Sequence, residues 1–123
     1  MLLKNFLLCD VAWYKGGPLP GMPGSAVIDG HVDGKNVPKA VFYNLGKLKK
    51  GDTVQVVNAG GETLSFKVIN TKTYAYDDPA ADVFASDVGV SRLNLITCGG
   101  TWIKAKKLYD KRVVVFTKLV TTQ

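Results

Sequence analysis

The apolar residues of this chain come in short runs, each closed by glycine, proline or a polar cluster, and no run keeps a helical period for long. Such a pattern confines the chain to short strands joined by turns, because a long helix needs apolar residues recurring every three to four positions and a parallel α/β sheet needs such helices between its strands. Thr53-Val54-Gln55-Val56-Val57-Asn58 and Thr63-Leu64-Ser65-Phe66-Lys67-Val68-Ile69 flank Ala59-Gly60-Gly61-Glu62, which reads as a hairpin introduced by a turn at Gly51-Asp52. In its second arm Leu64, Phe66 and Val68 alternate with Thr63, Ser65 and Lys67, so one face is buried and the other wet.

The remaining segments fit the same class. Ala26–Val32 is rich in β-branched residues and reads as a strand. Residues 16–24 before it hold three of the five prolines, and the missing N–H groups force an irregular loop. Val41-Phe42-Tyr43-Asn44-Leu45 reads as one helical turn, limited by Gly46. Tyr74–Asp87 reads as a polar, alanine-bearing connection, Arg92–Cys98 as a strand stopping at Gly99-Gly100, and Trp102–Asp110 as a basic loop. Val113-Val114-Val115-Phe116 is a continuous apolar run, as expected of a central strand covered on both faces. The expected fold is all-β, a small sandwich or barrel with short helical turns.

Composition excludes several functions. With 123 residues, 46% of them hydrophobic, the chain suffices for one domain with its own core. Two cysteines rule out a disulfide-dense scaffold, and a lone histidine rules out any site that needs two. The net charge of +6 favours anionic surroundings without choosing among them. The lysines at 47, 49 and 50 and at 104, 106, 107 and 111 read as solvated faces, or as contacts to an anionic surface. No stretch approaches the roughly 18–20 apolar residues of a membrane span, and Met1–Asn5 lacks the basic start and unbroken apolar run of a signal peptide. Asp77, Asp78 and Asp82 do not follow the spacing of a calcium loop and read as a polar loop. No metal or cofactor is expected.

Three residues carry chemistry if they meet. Cys98 ends an apolar strand beside two glycines that leave its approach open, His31 ends another strand, and Arg112 opens the last one. Taken singly they are ordinary: a free cysteine is commonly a small buried hydrophobe, a lone histidine a satisfied structural group, a strand-end arginine a solvated charge. Together they supply a thiol, a cationic neighbour that favours its thiolate, a proton donor for a departing amine and a positive group for an oxyanion. Cys9 lies in an apolar run with no such setting, and a Cys9–Cys98 disulfide would remove the nucleophile. Asp33 either orients His31 or caps a loop, and Trp13 and Trp102 read as packing anchors, with Trp102 also near enough to Cys98 to line a groove.

The segments Gly24–Asp33, Val41–Leu45 and Leu48–Asp52, followed by Leu95-Ile96-Thr97-Cys98 and Tyr109–Val115, resemble the sortase family in order and spacing over about residues 13–119. The family signature is commonly Thr-Leu-x-Thr-Cys, and here Asn94 takes the first position. Trp13-Tyr14, Pro20-Gly21 and Gly30-His31-Val32-Asp33 are most similar to class F, with classes D and E next.

The resemblance implies a sortase-like β-barrel and a cysteine transpeptidase. Cys98 attacks a Leu-Pro-x-Thr-Gly-type sorting signal between Thr and Gly, His31 protonates the leaving amine, and Arg112 steadies the oxyanion. Ile96, Thr97 and Trp102 contact the substrate. The implied partners are the sorting-signal peptide of surface proteins and an amine acceptor such as a peptidoglycan precursor, with no nucleic acid, and the chain is expected as a monomer. The implied place of action is the extracytoplasmic surface, where the family is membrane-associated. Residues 1–12 are expected as a segment left from a longer N-terminus, leaving the barrel incomplete there, and 13–123 as the catalytic domain. Two other readings stay open: a catalytically idle module that binds sorting signals, and a basic barrel that binds nucleic acid, although no strand face shows the stacked aromatics of such barrels.

Overall fold

Seven strands and one short helix form among the described residues: β1 (Leu2–Lys4), β2 (Val11–Trp13), β3 (Gly24–Gly30), β4 (Thr53–Val57), β5 (Thr63–Ala75), α1 (Ala81–Phe84), β6 (Ser91–Ile103) and β7 (Leu108–Leu119). The structure, a computed structural model, describes residues 2–4, 11–14, 17–30, 47–57, 60–85, 89–106 and 108–120, and at 2–4, 11–13, 98–102 and 108 the description is of the backbone. The strands make one sheet in the order β1-β4-β5-β7-β6-β3-β2, antiparallel throughout except for the parallel pair β3 and β6. The all-β expectation holds, and so does the hairpin, with Val54 opposite Phe66 and Val56 opposite Leu64. Gly51, at φ +99°, supplies the left-handed turn into β4 that a side chain would resist.

The sheet is curled into a half-barrel, and alternation along its strands builds two apolar layers. Ile28, Val54, Phe66, Leu93, Leu95 and Val115 fill the inner face. Val27, Val114 and Phe116 belong to the outer face, where Val83 of α1 closes over them. The apolar run of β7 is therefore central and covered on both sides, as its sequence requires.

Three expectations are corrected. Strand β6 does not stop at Gly99-Gly100: it runs on to Ile103, and its register with β7 shifts between Gly99 and Trp102, so the glycines accommodate an irregularity within the strand. Residues 102–110 are therefore largely ladder, with Trp102 opposite Tyr109 and a tight turn at 104–106. Strand β5 continues through Asn70-Thr71-Lys72-Thr73, whose polar character reflects exposure rather than a loop. The polar connection after Tyr74 contains α1. The helical turn expected at 41–45 lies outside the described residues, as does the end of the strand expected to reach Val32.

Candidate active site

The register of the two central strands fixes where the chemistry-bearing positions fall. In the β6–β7 ladder, position 98 lies directly opposite position 112, beside Thr97 opposite Val113 and Ile96 opposite Val114. Cys98 and Arg112 are thus cross-strand partners, although fourteen positions apart in sequence. Strand β3 runs parallel to β6 with Asp29 level with Ile96, and leaves the ladder at Gly30. His31, the next residue, lies outside the described residues, as does Asp33.

Arg112 is half-buried. Its Nη1 donates to the carbonyl oxygens of Tyr109 at 3.3 Å and Lys111 at 3.2 Å, which draws the guanidinium back along its own strand. Thr97 is buried at 2% exposure, and its Oγ1 has no hydrogen-bond partner among the described residues. Ile96 is half-buried and packs against the outer layer beneath α1. Trp102 is placed through its backbone pairing alone.

Helix α1 is a wall of this face that the sequence did not reveal. Four residues cannot sustain a helix unaided, and Ala80 before it adopts a left-handed φ of 47° without a side-chain cap. Tertiary tethers hold it instead. Asp78 Oδ1 accepts the Ala80 N–H at 2.8 Å. The Asp82 carboxylate accepts the Tyr74 hydroxyl at 2.7 Å and Lys72 Nζ at 2.9 Å. Asn94 Nδ2 donates to the Val83 carbonyl at 2.7 Å, and Ser25 Oγ to that of Ala85. Phe84 meets Tyr14 edge-on with ring centroids 5.0 Å apart.

The hydrogen bonds from Tyr74 and then Lys72 hold the Asp82 carboxyl below the usual carboxylate range. Burial, followed by the hydrogen bond to Asp82, pushes the Tyr74 phenol above the usual tyrosine range. The carboxylates of Asp78 and Asp82 are thus both engaged within the chain. Beside α1 a cleft of about 290 Å³ opens on the same face, lined by Ser25, Ile69, Lys72, Arg92, Asn94 and Phe116 among others.

A sequence model of the sortase domain matches residues 3–120. The chain belongs to the sortase family. Its fold is similar to that of sortase C-1 from Actinomyces oris, with 27% identity, a TM-score of 0.74, and coverage of 91% of this chain and 59% of that one. Sortase A from Corynebacterium diphtheriae is 25% identical with a TM-score of 0.75, over 92% of this chain and 49% of that one. The Clostridium perfringens sortase D5 transpeptidase shares the fold at 20% identity and a TM-score of 0.70, over 91% and 62% of the two chains. This sortase chain therefore spans about half to three-fifths of the length of those proteins. No curated protein matches it. Among the described residues no helix is long and apolar enough to cross a membrane.

Within the sortase signature, the asparagine at position 94 now has a physical account. It is 1% exposed, and its amide fastens α1 to the sheet.

Proposed function

We propose that this sortase chain is a cysteine transpeptidase of class F character, which cleaves a Leu-Pro-x-Thr-Gly-type signal between Thr and Gly and passes the acyl group to an amine. The observation that carries this reading is the cross-strand pairing of positions 98 and 112. Directly opposite residues of an antiparallel pair lie on one face, with Cβ atoms about 5 Å apart, so a thiol and a guanidinium at these positions can address one carbonyl. The parallel course of β3 delivers the chain toward the same end of β6 just before His31. The class assignment rests on Trp13-Tyr14, Pro20-Gly21 and Gly30–Asp33.

In the first step the Cys98 thiolate attacks the Thr carbonyl carbon, and charge gathers on the carbonyl oxygen, where the Arg112 guanidinium opposes it. As the intermediate collapses, the carbon–nitrogen bond breaks and imidazolium at His31 gives its proton to the glycine amine. A thioester remains on Cys98. An acceptor amine then attacks it, His31 takes up the proton, and the new amide leaves with the thiolate restored. Ile96, Thr97 and Trp102 border this end of the strands and serve the acyl portion. In the family such transfer joins surface proteins to peptidoglycan precursors or similar amines at the cell surface.

The test is turnover of a fluorogenic Leu-Pro-x-Thr-Gly peptide with an added amine. The parent is expected to form the amide product and a thioester detectable by mass spectrometry, and Cys98→Ala and His31→Ala to lose turnover. Equal turnover by Cys98→Ala removes the nucleophile assignment.

A further inference from the structure

The row that holds positions 98 and 112 has a third member. In the ladders Tyr74 of β5 lies directly opposite Arg112 of β7, and Arg112 directly opposite position 98 of β6. A tyrosine, an arginine and a cysteine position thus form one row across three adjacent strands. Directly opposite residues of antiparallel strands project to one face, with Cβ atoms about 5 Å apart. Tyr74 marks which face this is: it is half-buried and packs against the outer layer that holds Val83, Val114 and Phe116.

The Tyr74 hydroxyl brings an anion close to the row. It donates to the Asp82 carboxylate, with Oδ1 at 2.8 Å and Oδ2 at 2.7 Å, so it spans both oxygens. Lys72 Nζ reaches Oδ2 at 2.9 Å while lying 5.6 Å from the centroid of the Phe116 ring. Asp82 is thus paired with Lys72, and Arg112 turns its Nη1 to the carbonyls of Tyr109 and Lys111 instead. Released from Tyr74, the carboxylate would have a better partner at hand. A guanidinium meets a carboxylate through two parallel N–H bonds, a closer match than an ammonium, and five donors outnumber two backbone contacts. A guanidinium paired in that way would face a developing oxyanion with its charge already neutralised.

We propose that Tyr74 is a positioning residue for Arg112: together with Lys72 it holds the Asp82 carboxylate and keeps it off the guanidinium, which stays available to the oxyanion. This rests on the transpeptidase reading for the use made of the guanidinium, not for the arrangement itself. Burial and the bond to Asp82 keep the phenol protonated through the neutral range, so Tyr74 serves as a donor and not as a base.

Tyr74→Phe removes the hydroxyl and keeps the ring in the outer layer. In the fluorogenic assay it is expected to lower kcat by about tenfold, with KM within about twofold of the parent. Y74F/D82N, which removes the released charge, is expected to recover most of that loss, although α1 has lost the same tether in both variants. A second arm needs no turnover. The pH dependence of iodoacetamide alkylation at Cys98 reads the thiolate, followed by mass spectrometry of its own peptide so that Cys9 does not interfere. A carboxylate paired with Arg112 cancels the positive field that favours the thiolate. The alkylation midpoint is therefore expected to rise by about half a pH unit in Y74F and to return in Y74F/D82N. In an Arg112→Gln background the rise is expected to vanish. A chain that cleaves no peptide is still tested by this arm, which separates failure of the transpeptidase reading from failure of the arrangement. An unshifted midpoint in Y74F overturns the proposal. So does Y74F/D82N turnover as slow as that of Y74F, which would mean that Tyr74 acts only by docking α1, and so does a rise that persists in the Arg112→Gln background.

Discussion

Arg112 donates from Nη1 to two carbonyls of its own strand. A guanidinium offers five N–H donors in a planar fork, so turning it toward a substrate oxygen exchanges weak backbone contacts for charge-assisted ones. Lysine lacks the fork. Arg112→Lys is therefore expected to lower kcat/KM by about 10²-fold in the fluorogenic assay. Its thermal midpoint should stay within a few degrees of the parent, since the side chain is only half-buried and lysine keeps its charge and most of its aliphatic stem. Asn94 shows the reverse balance. Asn94→Ala strips a buried carbonyl of its donor, and urea unfolding should show a loss of about 1–3 kcal/mol with an unchanged m-value. The candidate residues stand out in the sequence because thiol, imidazole and guanidinium are scarce and chemically distinct here. The cross-strand pairing of positions 98 and 112 was not legible, because the turn at 104–106 and the irregularity after Gly99 together set the register between them. The role of Asn94 was hidden as well, since its partner is a backbone carbonyl on an element that short-range pattern does not announce.

At the scale of elements, α1 depends on charges that titrate. The folded-state pKa of Asp82 is depressed, so its contribution is present above the unfolded value, near 3.8, and is lost as pH falls through the folded one. Tyr74 is raised, so its contribution is complete below about pH 10 and fades as the phenol ionises above that. Docking of α1 should hold across the neutral range and loosen below about pH 4. Hydrogen exchange of the Val83 and Ala85 amides would read this as rising exchange, beyond the intrinsic pH effect, relative to core amides such as Leu95. Asp82→Asn should remove the acid-dependent step and leave exchange elevated at pH 7. Unchanged protection in that variant would mean that Val83 packing and the hydrogen bonds from Asn94 and Ser25 hold the helix without Asp82. Strands β4 and β7 were legible because two-residue alternation and a continuous apolar run report burial directly. The second half of β5 and the end of β6 were not, because exposed threonines and lysines, or a pair of glycines, look like loop even where the ladder continues.

At the scale of the molecule, β1 and β2 occupy opposite edges of the sheet. The chain from Lys4 to Val11 reaches at most about 25 Å when fully extended, whereas a flat seven-stranded sheet would part its edges by about 29 Å. The sheet must curl, and the curl gathers Phe66, Leu93, Leu95 and Val115 into one core. Two short strands from the start of the chain thus cover the outer edges of β4 and β3 together. Removing residues 1–13 uncovers both, leaving unpaired N–H and C=O groups that invite intermolecular pairing. The shortened chain is expected to melt roughly 10 °C lower and to show concentration-dependent association in sedimentation. It should keep the signature of the β6–β7 pair, because positions 98 and 112 are matched by a ladder that does not involve the edges. An unchanged midpoint and a monomeric profile would mean that the curl is held by the inner core alone.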